Sequence, residues 1–168
     1  MRCTAERPAP GMTSATQSRR SRHLQGCWAL VASLACGLAA AGGTTGETGA
    51  DRPPAEFAQQ VLAVINASRA SLGLTPLIAD RALTAIAEHH SQALAERGRL
   101  SHDGFAQRFE QASRDVCVEN LAAGLLQAEA LVAAWQQSPT HAQNLVAPRV
   151  RWAGVASTQR YVVFFACD

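Results

Sequence analysis

Polar side chains in the second half of the sequence could carry chemistry. They are His102 in Ser-His-Asp-Gly, the pair Glu119-Asn120, and His141 in Ser-Pro-Thr-His. Two imidazoles and a carboxylate can hold a zinc ion with an open fourth position, or act as a general base with its orienting partners. No His-Glu-x-x-His motif, Gly-x-Ser-x-Gly elbow or glycine-rich phosphate loop accompanies them. Because 17 residues separate His102 from Glu119 and 22 separate Glu119 from His141, spacing alone favours surface, loop or helix-capping roles for the histidines.

The apolar residues predict two long helices that precede these groups. One apolar stripe at helical spacing begins after Ala55 and stops at Gly73. A second runs from an N-cap at Asp80 to a stop at Gly98. The two stripes contain Phe57, Val61, Val64, Ile65 and Leu72, and then Leu83, Ile86, Ala87, His90 and Leu94.

The rest of the chain changes from helices to strands. Shorter helices are predicted over Phe105–Ala112 and Glu129–Ser138, and Pro139 suits the first turn of another. Trp152–Ala156 and Tyr161–Ala166 are rich in β-branched and aromatic residues and read as a hairpin. Helices first and strands last predict an α+β fold, with helices packed on a small antiparallel sheet.

Composition excludes one class of function. The 168 residues carry 15 basic and 13 acidic side chains, a formal net charge of +2. The surplus of arginine lies before residue 51, so the remaining chain is close to neutral and has no basic stripe. We therefore expect no nucleic-acid partner, because such binding depends on neutralising phosphates.

The first 54 residues resemble a targeting signal followed by a linker rather than part of a folded domain. Arg19, Arg20 and Arg22 precede the apolar run Trp28–Ala41, which ends in small residues. This order is typical of a secretory signal peptide. We expect a signal peptide over residues 1–41, with Met12 as a possible start, a linker over 42–54 and one domain over 55–168. The mature chain would then be exported to the periplasm or the exterior and have no membrane span, since the run is shorter than the ~20 residues that a helix needs.

Three alternatives to this signal remain open. Cys36 follows Ser33-Leu34-Ala35, which resembles a lipoprotein box except for the serine. Ser18-Arg19-Arg20 resembles a twin-arginine signal that lacks the apolar residues expected after it. The apolar run could also be a short membrane anchor.

Two cysteines, Cys117 and Cys167, lie outside the predicted signal peptide. An even number of cysteines in an oxidising compartment favours a disulfide. The alternative is a pair of buried free thiols. We predict the disulfide because export has independent support.

The body of the chain, from about Phe57 to Phe165, resembles a bacterial member of the CAP superfamily of cysteine-rich secretory, antigen 5 and pathogenesis-related proteins. The resemblance lies in short motifs in the family's order: Val64–Arg69, Leu74–Leu77, Leu83–His90, Arg97-Gly98, Ser101-His102, Glu119–Ala122, Ala134-Trp135, Ser138–Leu145 and Gly154–Ala156. It implies an α-β-α sandwich and a cavity lined by two histidines and two glutamates.

The resemblance assigns cavity positions to residues of this sequence. His102, Glu119 and His141 match three of the four, although Val118 stands where the family has glycine. Ser138 stands at the fourth position in place of glutamate. The cavity set is therefore His102, Glu119, His141 and Ser138, with the first three as possible metal ligands. His90 is expected to be structural, with a buried hydrogen bond, and His89 to be exposed.

Two classes of function compete for this site. The first is an exported binding module, without turnover, that holds a divalent cation or a small or lipid ligand. The second is a metal-dependent hydrolase with Glu119 as its base. A structural envelope protein is a third possibility. We expect the binding module, a monomer with no required cofactor, although a divalent cation such as zinc could bind; its partner would be a small molecule, a lipid or an envelope component.

Overall fold

The computed structural model describes residues 4–6 and 54–168. Its elements are β1 (Thr4–Glu6), α1 (Pro54–Ser71), β2 (Ile78–Ala79), α2 (Arg81–Arg97), α3 (Phe105–Ala112), β3 (Val116–Ala123), α4 (Ala128–Gln137), α5 (Pro139–Leu145), β4 (Trp152–Thr158) and β5 (Tyr161–Cys167). Among these residues, no helix has both the length and the apolar character that a membrane span requires.

Most of the N-terminal predictions fall outside the described residues. This holds for the apolar run of the predicted signal peptide, for Cys36 and for nearly all of the predicted linker. Thr4–Glu6 lie inside the predicted signal peptide and pair with β3 as a short edge strand. The signal peptide and its cleavage stay predictions.

The helix boundaries follow the local signals in the sequence. The Asp80 carboxylate accepts a hydrogen bond from the Leu83 N–H at 2.9 Å, which satisfies one of the free donors at the start of α2. Gly98 ends α2 in the left-handed conformation, with φ of 67°. α3 has the predicted bounds, and Pro139 begins α5 as expected.

One predicted core residue is wrong. Leu72 was expected on the buried stripe of α1, but α1 ends at Ser71 and the Leu72 side chain is 60% exposed. The N–H groups of Leu72 and Leu74 both donate to the Arg69 carbonyl, so the chain turns immediately after the helix. Leu72 has the spacing of the apolar stripe, but it lies in the turn and not in the helix.

The five strands form one sheet in the order β1-β3-β5-β4-β2. The predicted hairpin is present as β4 and β5, and it is longer than expected because Ser157 and Thr158 also pair with β5. β2 pairs with β4 in parallel, so the sheet is mixed rather than purely antiparallel. The sequence analysis missed β1 and β2, which are only three and two residues long.

Helices cover both faces of the sheet. Alternate residues of β5 pack on opposite sides, as the strand period requires. Val162, Phe164 and Ala166 lie in a core with α1, α4 and α5, whereas Val163 and Phe165 lie in a second core with α2 and α3. The predicted α-β-α sandwich is therefore confirmed.

Gly154 permits the close contact between α2 and the sheet. A Cβ atom at this position would lie 2.2 Å from the backbone carbon of Leu83. Any side chain would push the start of α2 away from β4, so glycine fixes how closely these two elements pack.

Cys117 and Cys167 form the predicted disulfide, which rules out the alternative of two free thiols. They lie opposite each other on β3 and β5 with Cα atoms 4.1 Å apart, slightly closer than the usual 4.4–6.8 Å. Both residues are fully buried, in the core between the sheet and α2. The bond ties the middle of the chain to its last strand.

Candidate functional site

Glu119 is the centre of a buried polar cluster. It lies within β3, has no solvent-exposed surface, and points toward the face covered by α2 and α3. Arg108, from α3, binds both of its carboxylate oxygens: Nε donates to Oε2 at 2.7 Å and Nη2 donates to Oε1 at 2.8 Å. A two-pronged arginine contact of this kind is among the strongest hydrogen-bonded ion pairs in proteins.

His102 completes the partners of Glu119. Its Nδ1 lies 2.8 Å from Glu119 Oε1. Burial by itself would raise the pKa of the Glu119 carboxyl, but the hydrogen bonds from His102 and Arg108 and the charge of Arg108 outweigh burial and lower that pKa. The carboxylate stays ionised and can only accept hydrogen bonds, so Nδ1 of His102 carries the hydrogen. In the neutral imidazole, Nε2 of His102 is then the nitrogen with a free lone pair.

His90 borders the same cluster from α2. Its burial is confirmed, with 3% of its surface exposed, and the predicted hydrogen bond is made with the Ser101 backbone. The other ring nitrogen, Nε2, has no partner among the described residues. This atom is 3.8 Å from Glu119 Oε1. Desolvation by burial lowers the pKa of His90 to about 4, although the charge of Glu119 and a backbone contact with Ser101 oppose the shift. His90 is therefore neutral near pH 7. His89, on the same helix, is exposed as predicted.

His141 approaches from the opposite face of the sheet. Successive residues of a strand point to opposite faces, so Asn120 points toward α5 while Glu119 points toward α3. The Asn120 side chain donates to the His141 carbonyl at 3.1 Å, and the Asn144 side chain donates to the Glu119 carbonyl at 3.1 Å. These contacts attach α5 to β3 directly beside Glu119.

The second predicted cavity histidine, His141, is affected by the charge of the first. Burial first, and then the charge of His102, lower the pKa of the half-buried His141. His102 is 24% exposed, so solvent reaches it. Ser138 is the N-cap residue of α5 and makes no side-chain capping hydrogen bond. The geometry thus joins His102 directly to Glu119 and couples His141 to His102 through charge, while the full cavity set stays a prediction.

The metal-ligand prediction can be compared with the donor atoms present. Within residues 4–6 and 54–168, no group of three or more His, Cys, Asp or Glu side chains is arranged to hold a metal ion. The carboxylate of Glu119 already binds Arg108 and His102, so it is not free to act as a ligand. A His-Glu-His ligand set does not fit this arrangement, and two imidazoles remain as candidates.

Arg108 is the main site residue that the sequence analysis missed. It is 92% buried, which is unusual for arginine unless the charge is paired. A signal was present, because Phe105, Arg108 and Phe109 share one face of the short α3. A cation on an apolar face indicates a buried acidic partner elsewhere in the chain.

Solved structures with a similar fold include three bacterial proteins. An extracellular protein with an SCP domain from Bacillus anthracis has a TM-score of 0.64 and 21% identity, over 68% of this chain and 41% of its own. A cysteine-rich secretory protein from Staphylococcus aureus has a TM-score of 0.64 and 16% identity, over 70% and 40%. An outer surface protein from Borrelia burgdorferi has a TM-score of 0.62 and 24% identity, over 67% and 92%.

This chain therefore spans less than half the length of the first two proteins, and at these identities the likeness concerns the fold alone. No significant match was found among curated protein sequences. The model of the cysteine-rich secretory protein family, CAP, matches residues 62–168, which include the whole polar cluster around Glu119. With the sandwich and the ordered motifs, this match shows that the chain belongs to the CAP family.

Proposed function

We propose that this protein is an exported, non-catalytic binding module whose ligand contacts the imidazoles of His102 and His141. In this proposal Glu119 and Arg108 do not touch the ligand and instead hold His102 in place. The observation that carries the proposal is the state of Glu119: it is fully buried, and Arg108 and His102 together bind both of its oxygens.

The same observation argues against a hydrolase. A general base must reach the proton that it removes and must have a pKa near the working pH. Glu119 has no exposed surface, and its pKa is lowered, so it holds a proton poorly. Releasing it from Arg108 would leave a buried cation without a partner, which is costly. We therefore favour binding without turnover.

The ligand class is inferred from Nε2 of His102, the ring nitrogen that does not face Glu119. A carboxylate on one ring nitrogen orients an imidazole and makes its other nitrogen a better donor to a metal. His102 has this arrangement, with Glu119 on Nδ1. A divalent cation such as zinc, held by His102 and His141, is thus the simplest candidate. With no Glu at position 138, two imidazoles would bind it weakly, and a small polar or lipid headgroup could use the same nitrogens.

Export is supported by several independent features. The Cys117–Cys167 disulfide is typical of oxidising compartments. Two of the similar structures are described as extracellular and outer surface proteins. The predicted signal peptide points in the same direction. The periplasm and the cell exterior both satisfy these features.

Zinc titration of the full chain by calorimetry tests the proposal. We expect saturable binding that falls at least about tenfold in the double variant His102→Ala/His141→Ala, as loss of ligands commonly causes. The exposed His89→Ala variant is the matched control and should bind like the parent chain. Equal binding by the double variant, or no binding by the parent chain, would contradict the proposal. Zinc-dependent cleavage of a peptide library, lost in Glu119→Gln, would establish the hydrolase instead.

A further inference from the structure

An apolar cleft of about 230 Å³ lies along the outer edge of β4. One wall is the first half of α1, including Ala58 and Leu62, and the other is α2, including Thr84 and Glu88. The edge of β4 forms the floor. None of the polar cluster around Glu119 lines this cleft, so it is a second and separate surface.

The floor of the cleft presents unpaired backbone groups. Pairing with β5 leaves the N–H and C=O groups of alternate β4 residues pointing outward. β2 pairs with the first part of this edge, where the N–H groups of Ile78 and Asp80 donate to the carbonyls of Arg151 and Ala153. The next outward positions are Val155 and Ser157, and in the described part of the chain no strand pairs with them.

The fold itself stops β2 from covering these positions. Asp80 ends β2 and immediately serves as the N-cap of α2. α2 then crosses β4 at Gly154, where the two backbones approach so closely that no Cβ atom fits. The chain has therefore left the sheet before it could pair with Val155 or Ser157. An unpaired edge is a template for another strand.

The walls define the side chains that an added strand would carry. Alternate side chains of a strand point to opposite faces. On one face they would meet α1, which lines the cleft with Ala55, Ala58 and Leu62 and with one polar side chain, Gln59. On the other they would meet Thr84 and Glu88 of α2, and Glu88 is the one charged residue among those described that line the cleft.

We propose that the β4 edge binds an extended peptide segment of a partner protein by strand addition. Its backbone would pair with Val155 and Ser157, its apolar side chains would face α1, and a basic side chain between them would pair with Glu88. The four residues Val155–Thr158 span about 13 Å, which suits a segment of four or five residues. This binding does not depend on the function proposed for His102 and His141.

A labelled, end-capped peptide Val-Arg-Val-Arg-Val tests this with the full chain by fluorescence anisotropy. We expect saturable binding that falls at least about tenfold when the amides facing the β4 edge are N-methylated, because both backbone hydrogen bonds are lost. Glu88→Gln should weaken binding about two- to fivefold, as for an exposed ion pair. Glu96→Gln, an exposed carboxylate further along α2, is the matched control and should have no effect.

Several results would overturn the proposal. Equal affinity for the N-methylated peptide would show that no strand is added, and this comparison needs no variant to fold. Equal losses in Glu88→Gln and Glu96→Gln would indicate diffuse charge attraction. Occupation of the cleft by a fatty acid, or a dimer in sedimentation that Ala58→Trp disrupts, would assign the cleft to another occupant. Unchanged peptide binding in His102→Ala is expected and separates this surface from the polar site.

Discussion

The two edges of the sheet are covered in different ways. On β3, beyond the short strand β1, side chains bind the outward carbonyls: Asn144 donates to Glu119 and the Trp135 indole donates to Leu121, both at 3.1 Å. On β4, beyond β2, no strand pairs with Val155 and Ser157 in the described part of the chain. Neither side-chain contact on β3 involves β1, so both persist if a signal peptide is removed.

This difference indicates two kinds of surface. Helix side chains bind the backbone at the β3 edge, and the neighbouring Glu119 carboxylate binds the His102 ring. At the β4 edge, between two helices, no strand of the described residues pairs with the backbone groups of Val155 and Ser157. A preorganised polar site suits a small ligand, whereas an open strand edge suits a peptide.

The largest expected effect follows from breaking the ion pair beside the β3 edge. Arg108→Met leaves the Glu119 carboxylate buried without its cation, and we expect the free energy of unfolding to fall by about 3–5 kcal/mol. Urea denaturation measures it. Arg99→Met is the control, because the Arg99–Asp103 pair is 3.6 Å apart with both side chains at least 65% exposed, and such pairs contribute at most about 1 kcal/mol. Similar losses in both variants would refute a charged, buried Glu119.

Loss of the disulfide should lower the free energy of unfolding slightly less than loss of the Arg108–Glu119 ion pair. Replacing Cys117 and Cys167 together with alanine releases a connection between residues 50 apart, and we expect a loss of about 2–4 kcal/mol. Hydrogen exchange can locate the effect. Amides of β3 should lose more protection than those of Val155 and Ser157, which we expect to be weakly protected in the parent chain because no described strand pairs with them. Equal loss at both edges would contradict the difference between them.

The hydrogen bonds that the Asn144 side chain donates at the β3 edge can be removed by a single substitution. Asn144→Leu leaves the Glu119 carbonyl and the Asn120 side-chain oxygen without a donor that now lies 3.1 and 2.9 Å away. We expect a loss of about 1–3 kcal/mol, the usual cost of an unsatisfied buried group. Gln143→Ala, at an exposed position on the same helix, should change stability by less than about 0.5 kcal/mol. If the two variants are equally stable, the hydrogen bonds of Asn144 do not contribute to the free energy of unfolding.

The pH dependence of stability reports on His90. Its pKa is about 4 in the folded chain, below its ordinary value of 6.5. Between these values the unfolded chain binds a proton that the folded chain does not, so stability falls as the pH is lowered from 6.5 to 4 and is constant above that range. One proton corresponds to a slope of at most about 1.4 kcal/mol per pH unit.

Thermal or urea unfolding of His90→Phe between pH 4 and 7.5 checks this. The variant should have a shallower slope than the parent chain, while His89→Ala should match the parent. Some slope will remain, because the pKa of His141 is also lowered by burial. An unchanged slope in His90→Phe would show that His90 is not buried in its neutral form.

Sequence reasoning predicted those parts of the molecule that local signals decide. Asp80 and Gly98 predicted the ends of α2, and the β-branched and aromatic residues of β5 predicted a strand. β2 and the identity of the partner of Arg108 could not be found in this way. A two-residue strand has no periodicity of its own, and the partner of Arg108 lies 11 residues away on another element. Leu72 was wrongly assigned to the core, because the spacing of apolar residues does not indicate where a helix ends and a turn begins.

Of the predicted site residues, His102 and Glu119 are in direct contact, whereas the inclusion of His141 and Ser138 stays a prediction. Glu119 and His102 are in contact, yet nothing local to Glu119 indicated that Arg108 would bind both of its oxygens. The role of a buried carboxylate depends on which cation reaches it, and packing between α3 and β3 decides that. For this reason our proposal gives Glu119 the role of orienting His102 rather than that of a ligand.

Nitrogen-15 NMR of the histidine side chains tests the central claim most directly, because it reports which nitrogen of His102 carries the hydrogen and which one meets a ligand. Near pH 7.5 we expect the hydrogen on Nδ1 of His102, facing Glu119. Added zinc should then shift the Nε2 resonance of His102, together with a ring nitrogen of His141, and leave His89 and the Glu119 carboxyl carbon unchanged. A hydrogen on Nε2 of His102, or direct zinc coordination by Glu119, would contradict the account.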